Sequence, residues 1–235
     1  MTEYTGTENL EVMAEAGKYN RFLISLIHNE ARSGEKIVDF GAGIGTFAKE
    51  ISSGGYQVHC IEPDKQQLTR ILESGLSASL DLACIEDGSV DLLYTLNVLE
   101  HIKDDVASLQ ICHSKIKPGG RLLIYVPAFQ ILFSSMDRNV GHFRRYTRND
   151  LSEKVRAAGF DIMKNEYVDC AGFLASLLYK ILGNNSGTVN RRALIAYDRY
   201  VFPLSRLGDK LFNRVFGKNV FLVAQRRSNA VDEQK

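Results

Sequence analysis

The 235-residue chain has no tryptophan, only four prolines and only four cysteines. Cys60, Cys84, Cys112 and Cys170 are scattered and form no C-x-x-C pair. That spacing argues against a zinc ribbon and against a disulfide framework, so all four read as reduced packing residues and no metal site is expected. Net charge is scarce as well: 29 Lys+Arg face 28 Asp+Glu, leaving +1. So neutral a chain lacks the basic field that non-specific nucleic-acid binding uses. Long apolar runs are missing; the longest, near AGFLASLLYKIL (171–182), is too short to span a bilayer. The first residues, MTEYTGTENLEVMAEAG, are acidic and carry no signal-peptide hydrophobic stretch. Repeats and low-complexity tracts are absent, and GNNSGTVNRR (183–192) is the one linker-like segment. These absences leave a soluble cytoplasmic protein as the expectation, with 45% hydrophobic residues to fill a core.

What the chain does contain is alternation. Phe22, Leu23, Leu26 and Ile27 recur at helical spacing and predict an amphipathic helix over 19–31. Strands are predicted at 36–40, 56–62, 77–82, 89–97 and 121–128, with helices at 46–55, 65–75 and 104–116 between them. A helix over 149–160 and strands over 160–169 and 219–227 follow. Strands that alternate with helices imply a parallel sheet covered on both faces.

The densest signal is VDFGAGIGTFAKEI, a strand, a glycine turn and a helix start. Gly41, Gly43 and Gly45 let the backbone adopt positive φ and approach a ligand closely. Glu62 ends the next strand, where a carboxylate can accept from a ribose diol. An ordinary turn with a chance acid would look similar, so the details matter. A dinucleotide fingerprint needs glycine at position 46, where Thr46 stands. Asp39, two residues before the turn, would repel a pyrophosphate by roughly 1–4 kcal/mol. The same anion suits a ligand that carries ammonium and sulfonium charges.

Four motifs in order then resemble one family. VDFGAGIGTF resembles the first motif of the class I S-adenosylmethionine (SAM)-dependent methyltransferases, CIEPD the acidic end of their second strand, SVDLLYTLNVLEHI their fourth-strand motif and IKPGGRLLIYVPA their fifth. The resemblance covers about residues 36–128. It implies a Rossmann-like, doubly wound, seven-stranded sheet whose last inserted strand, NVFLVAQR, runs antiparallel. It also implies SAM at the carboxyl ends of the first strands. Asp39 and the backbone of Gly41 and Gly43 would hold the methionine moiety, Glu62 the ribose, and Asn97 would lie near the methionine end. Asp81 with Leu82 would meet the adenine, and Tyr19 would cover the cofactor or simply pack at the rim.

The acceptor side rests on GHFRRYTRND (141–150). Thr147-x-x-Asp150 predicts a helix cap, which places Arg144, Arg145 and Tyr146 just before a helix N-terminus. Arginine forks beside helix amides suit an anionic group, so these three and His142 are expected to bind substrate. The alternative is that Arg144 or Arg145 pairs with Asp137, Glu153 or another acid. His142 is the favoured general base, while His101, in LEHI, has a supporting part. The loop MDRNVGHFRRYT is similar to one in bacterial methyltransferases of lipid-linked sugar pathways. His28, His59 and His113 read as structural.

About fifty residues, 169–218, separate the last two predicted strands, a length that is usually functional or separately structured. AGFLASLLYKIL is apolar nearly all round, and 191–218 interleaves apolar residues with cations, Asp198 and Asp209 being its only acids. This helical insertion is expected to be an acceptor lid, a contact with an anionic membrane face or a homodimer interface. The expectation overall is a single domain, 1–235, that methylates the oxygen of a small or lipid-linked anionic acceptor. C-methylation of an isoprenoid diphosphate, a non-catalytic SAM-binding module and a nicotinamide oxidoreductase are the rivals.

Overall fold

The computed structural model describes residues 7–182 and 191–228. The elements are α1 (Thr7–Ala14), α2 (Gly17–Glu30), β1 (Lys36–Phe40), α3 (Thr46–Ser53), β2 (Gln57–Ile61), α4 (Lys65–Glu73), β3 (Ser77–Ser79), β4 (Val90–Leu96) and α5 (Asp105–Lys115), then β5 (Ile116–Pro127), α6 (Ser135–Asn139), α7 (Arg148–Ala157), β6 (Phe160–Val168), α8 (Cys170–Leu182), α9 (Arg191–Ala196), α10 (Phe202–Phe212) and β7 (Asn219–Arg226). The strands form one 7-stranded sheet in the order β3-β2-β1-β4-β5-β7-β6. β1 to β5 pair in parallel, and β7 runs antiparallel to both β5 and β6. This is the doubly wound sheet with an inverted last strand that the resemblance implies.

Strand period sorts the core. Ile37, Leu92 and Leu123 face one layer with Leu23, Ile27, Ala48 and Ile51, from α2 and α3. Their neighbours Val38, Leu93 and Leu122 face the other, with Leu109, Cys112, Leu151 and Val155 from α5 and α7. Successive side chains point to opposite faces, so strands buried on both sides read as continuous apolar runs. Each such side chain contributes roughly 1.5–3 kcal/mol by burial.

Caps fix where the helices start. Asp64 accepts from the amides of Gln66 and Gln67 at α4, Asp104 from Ala107 at α5 and Thr147 from Asp150 at α7. Two strands differ from expectation. β3 stops at Ser79, because Asp81 accepts from Ala83 N (2.8 Å) and turns the chain into a 3-10 turn over Leu82–Cys84. β5 begins at Ile116, since Ile116 already pairs with Val90 ahead of a register shift. The short helix α6 was not expected; a capping box between Ser134 and Asp137 holds it.

The insertion between β6 and β7 is helical: α8, α9, a π-helical turn at Tyr197–Val201, and α10. Residues 183–190 of the linker-like segment lie outside the described residues. Buried acids tie it to the rest of the fold. Asp209 accepts from the amides of Asp169 (3.0 Å) and Cys170 (2.9 Å), and Asp169 accepts from Ser205 Oγ (2.7 Å). Asp198 accepts from Tyr19 N (2.7 Å) and Lys18 N (3.0 Å), two of the first amides of α2. Among the described residues no helix is long and apolar enough to cross a membrane.

Candidate active site

Parallel pairing gathers the carboxyl ends of β1, β2, β4 and β5 on one edge, and β6, antiparallel to β7, ends there too. Three non-glycine residues with positive φ follow these strands: Asn97 (56°) after β4, Phe129 (60°) after β5 and Asp169 (66°) after β6. Such conformations persist only where the surroundings impose them, and they cluster at functional edges.

The glycine turn leaves β1 at this edge. A Cβ on Gly41 (φ 84°) would stand 2.3 Å from Val98 Cγ2, so the turn admits no side chain there. Glu62 braces it: Oε2 accepts from Gly43 N (2.7 Å) and Oε1 from Asp64 N (2.9 Å). Each oxygen keeps a second lone pair for a hydroxyl. Burial raises the Glu62 carboxyl, against the pull of the Asp64 and Gly43 amides.

Asp39 is buried, and its Oδ2 has no hydrogen-bond partner. Burial pushes this carboxyl up to about 7, with Tyr94 pulling it down and Glu62 adding to the rise. An orphaned buried carboxylate is costly until a donor meets it. The turn and this acid therefore fit a ligand that brings a cation. Asn97 is exposed at the crevice and donates its amide to Tyr125 O (2.7 Å). Tyr19 is half-buried, its ring edge-on to Tyr125 and Phe202 at 6.3 and 5.4 Å, and burial raises its hydroxyl. Asp81 is exposed on the same edge. The Leu82 side chain packs inward in the core, which leaves the expected adenine contact to its backbone.

The arginine loop differs from expectation more sharply. Arg145 places its fork on Asp137, Nε at 2.9 Å from Oδ1 and Nη2 at 3.0 Å from Oδ2. Arg144 Nη1 lies 2.6 Å from Asp105, and its Nη2 donates to Lys103 O (2.7 Å). Tyr146 is fully buried and donates to Asp105 Oδ2 (2.8 Å). The expected anion clamp of Arg144, Arg145 and Tyr146 is therefore corrected. All three are engaged by buried carboxylates, Asp105 being shared with Lys154 and Asp137 with His142. The alternative pairing of Arg145 with Asp137 is the one formed.

His142 and His101 come together. Their rings meet edge to face at 4.5 Å. His142 Nδ1 is 2.8 Å from Asp137 Oδ1, and its Nε2 is 3.8 Å from Glu100 Oε1. Burial alone would raise Asp137, but His142 and Arg145 hold it well below the usual carboxylate range. Burial, with His142 adding, pushes His101 down to about 4. Glu100 is fully buried, neither of its oxygens has a hydrogen-bond partner, and burial pushes it up to about 8. Reading the residues alone missed Glu100, although it stands in the same LEHI that singled out His101. Elsewhere, His59 Nε2 meets Ser79 Oγ (2.8 Å) and His113 packs on Phe160.

Residues 14–165 match the family described as methyltransferase domain. A ubiquinone biosynthesis O-methyltransferase of Cupriavidus pinatubonensis is 25% identical over 155 residues, 56% of this chain and 62% of the relative. One from Xanthomonas euvesicatoria is 32% identical over 102 residues, 39% of this chain and 43% of the relative. The chain thus spans about half the length of the curated relatives it matches. A SAM-dependent methyltransferase structure from Archaeoglobus fulgidus superposes with a TM-score of 0.59 at 17% identity, over 88% of this chain and 94% of that chain. The glycine turn, the orphaned Asp39, the β7 inversion and this match agree, and the chain belongs to the methyltransferase-domain family with the class I, SAM-dependent architecture.

Proposed function

We propose that the chain transfers a methyl group from SAM to a hydroxyl of a small, largely apolar acceptor. The observation that carries this reading is the Asp137–His142 dyad, set against His101 and Glu100 beyond β4 on the edge where the glycine turn lies. SAM supplies an electrophilic methyl on a sulfonium centre. In this reading Asp39 and the amides of Gly41 and Gly43 hold the methionine end, Glu62 and Asp81 the nucleoside end, and Asn97 and Tyr19 close over it. His142 and His101 stand where the acceptor's hydroxyl must lose its proton. The names of the curated relatives, O-methyltransferases of ubiquinone biosynthesis, support oxygen as the acceptor atom.

The body of the acceptor would lie against Phe129, Tyr167 and Phe173, whose rings pack at 4.6 and 5.3 Å beside the β5 and β6 ends. An acidic acceptor loses support, because Arg144 and Arg145 are already paired; the same pairing weakens the isoprenoid diphosphate alternative. The whole of 1–235 acts as one domain, with the helical insertion as the crevice wall. Its outer face would rest on an anionic lipid surface.

Calorimetry of SAM with the purified chain is the first test, with Glu62→Ala beside it. Micromolar affinity, about −8 kcal/mol, that Glu62→Ala weakens is the expected result. His142→Ala should lower kcat on a phenolic acceptor by about 10²–10⁴-fold with SAM affinity retained. A folded chain that does not bind SAM, or a His142→Ala variant with unchanged kcat, would overturn the reading.

A further inference from the structure

We infer that Glu100, His101 and His142 form a binding site for a divalent cation at the acceptor end of the crevice. One ligand atom from each side chain lies within 4.8 Å of the others. Glu100 Oε1 and His142 Nε2 are 3.8 Å apart, too far for a hydrogen bond. Two donors that share one ion at about 2.0–2.2 Å stand roughly 3–4 Å apart, so an ion closes this gap with little movement.

An independent observation points the same way. The Glu100 carboxylate is 0% exposed, and neither of its oxygens has a hydrogen-bond partner. Buried carboxylates are ordinarily paired or metal-bound. Arg145 is near enough for its charge to pull the Glu100 carboxyl down, but its fork is bonded to Asp137 and gives Glu100 no hydrogen bond. Both oxygens of Glu100 are therefore left free of hydrogen bonds, with the His142 imidazole the group that faces Oε1.

The partners behind the imidazoles complete the argument. Metal-binding histidines donate their other ring N–H to a carboxylate or a backbone carbonyl, which sets the tautomer and the ring orientation. His142 meets Asp137 through Nδ1 at 2.8 Å, and its Nε2 turns toward Glu100. His101 has the Val140 carbonyl as its ring partner. Asp137 is itself held by the Arg145 fork and by Ser134 N (2.8 Å). The cationic loop thus acts one step behind the site, positioning Asp137, which positions His142.

Two imidazole nitrogens and one carboxylate suit Zn²⁺, Mn²⁺, Fe²⁺ or Co²⁺ rather than Ca²⁺. Three protein ligands leave open positions, and His101 and His142 are only half-buried, so those positions reach the crevice. The use of the ion rests on the methyl-transfer reading; its binding does not. An open position receives the acceptor's hydroxyl and lowers its pKa, so that the proton passes to solvent. The oxygen then takes the methyl as the carbon–sulfur bond breaks, and the sulfonium becomes a neutral thioether. His142 serves in this step as a ligand instead of the base.

The test uses the full chain stripped with a chelator and titrated with Co²⁺, followed by visible absorption, with SAM calorimetry on the same samples. One saturable site of micromolar or tighter affinity is expected. Glu100→Gln and His142→Ala should each weaken it at least 100-fold, and Asp137→Asn about 10–100-fold, with SAM affinity retained. No saturable Co²⁺ band in a folded, SAM-binding chain overturns the ion and leaves methyl transfer standing. An affinity untouched by Glu100→Gln and His142→Ala also overturns it. Cation binding without SAM binding sinks methyl transfer and leaves the ion. Should the variants fail to fold, pulsed EPR of Mn²⁺ on the unaltered chain reads imidazole nitrogen directly, and its absence overturns the site.

Discussion

Gly41 and Asp39 sit two residues apart and constrain the cofactor end in different ways. Gly41 is steric: a methyl there meets Val98 at 2.3 Å on a backbone with φ 84°. Gly41→Ala should destabilise the fold by about 2 kcal/mol or more and abolish SAM binding, which thermal melts and calorimetry would read together. Asp39 is electrostatic. Its carboxyl titrates near 3.8 unfolded and at about 7 when folded. The native state therefore holds a proton that the unfolded chain has lost between these values, so the contribution to stability falls as pH rises from about 4 to 7 and is level above that. A ligand cation favours the ionised carboxylate, so SAM affinity should rise through pH 7. Asp39→Asn should flatten both trends and weaken SAM at least tenfold; a pH-independent affinity in the unaltered chain would refute this. The glycine turn and the Glu62 carboxylate against it were legible because a short, local motif encodes them. Asp137 was legible only as an arginine partner and Glu100 not at all, because their approach to His142, 5 and 42 residues away, is assembled only by the folded chain.

Elements were legible wherever period and caps agreed. β1 runs over the predicted 36–40, and α4 starts where Asp64 caps it. The insertion was legible as helical, but its attachment was not, since no pattern in 191–218 says that Asp198 caps α2. That cap makes the helix bearing Tyr19 depend on the insertion. Asp198→Ala should cost about 1–2 kcal/mol and speed hydrogen exchange at the first turn of α2 more than in β1. Equal exchange of the α2 amides in Asp198→Ala and in the unaltered chain would show that the cap is idle.

For the whole molecule, charge is balanced in total and uneven in place. Leu204, Leu207, Leu211 and Val215 form one exposed apolar stripe along and just past α10, 61–78% exposed. Lys210 and Arg214 flank it, also exposed, while Phe202, Ser205 and Asp209 face inward. Such a face suits the interfacial zone of an anionic bilayer. The chain should sediment with vesicles that contain phosphatidylserine and much less with neutral ones, and Leu207→Asp with Leu211→Asp should release it. Sedimentation that ignores lipid charge and both substitutions would remove the membrane reading, and a dimer disrupted by the same pair would give the stripe to a second copy.

The place of β7 has a consequence for how the protein is made. It lies between β5 and β6, although it follows β6 in the chain. On the ribosome, where chains grow at about 5–20 residues per second, β6 can join the sheet only after residues 219–226 have emerged. Asp169 and the helices of the insertion wait with it, and so does the cap on α2, whose partners are 179 and 180 residues apart. The glycine turn is synthesised early, but the crevice around it closes last. A growing chain halted before β7 would carry the cofactor motif without a finished site, and its exposed β5 edge would be open to the wrong partner until the final strand arrives.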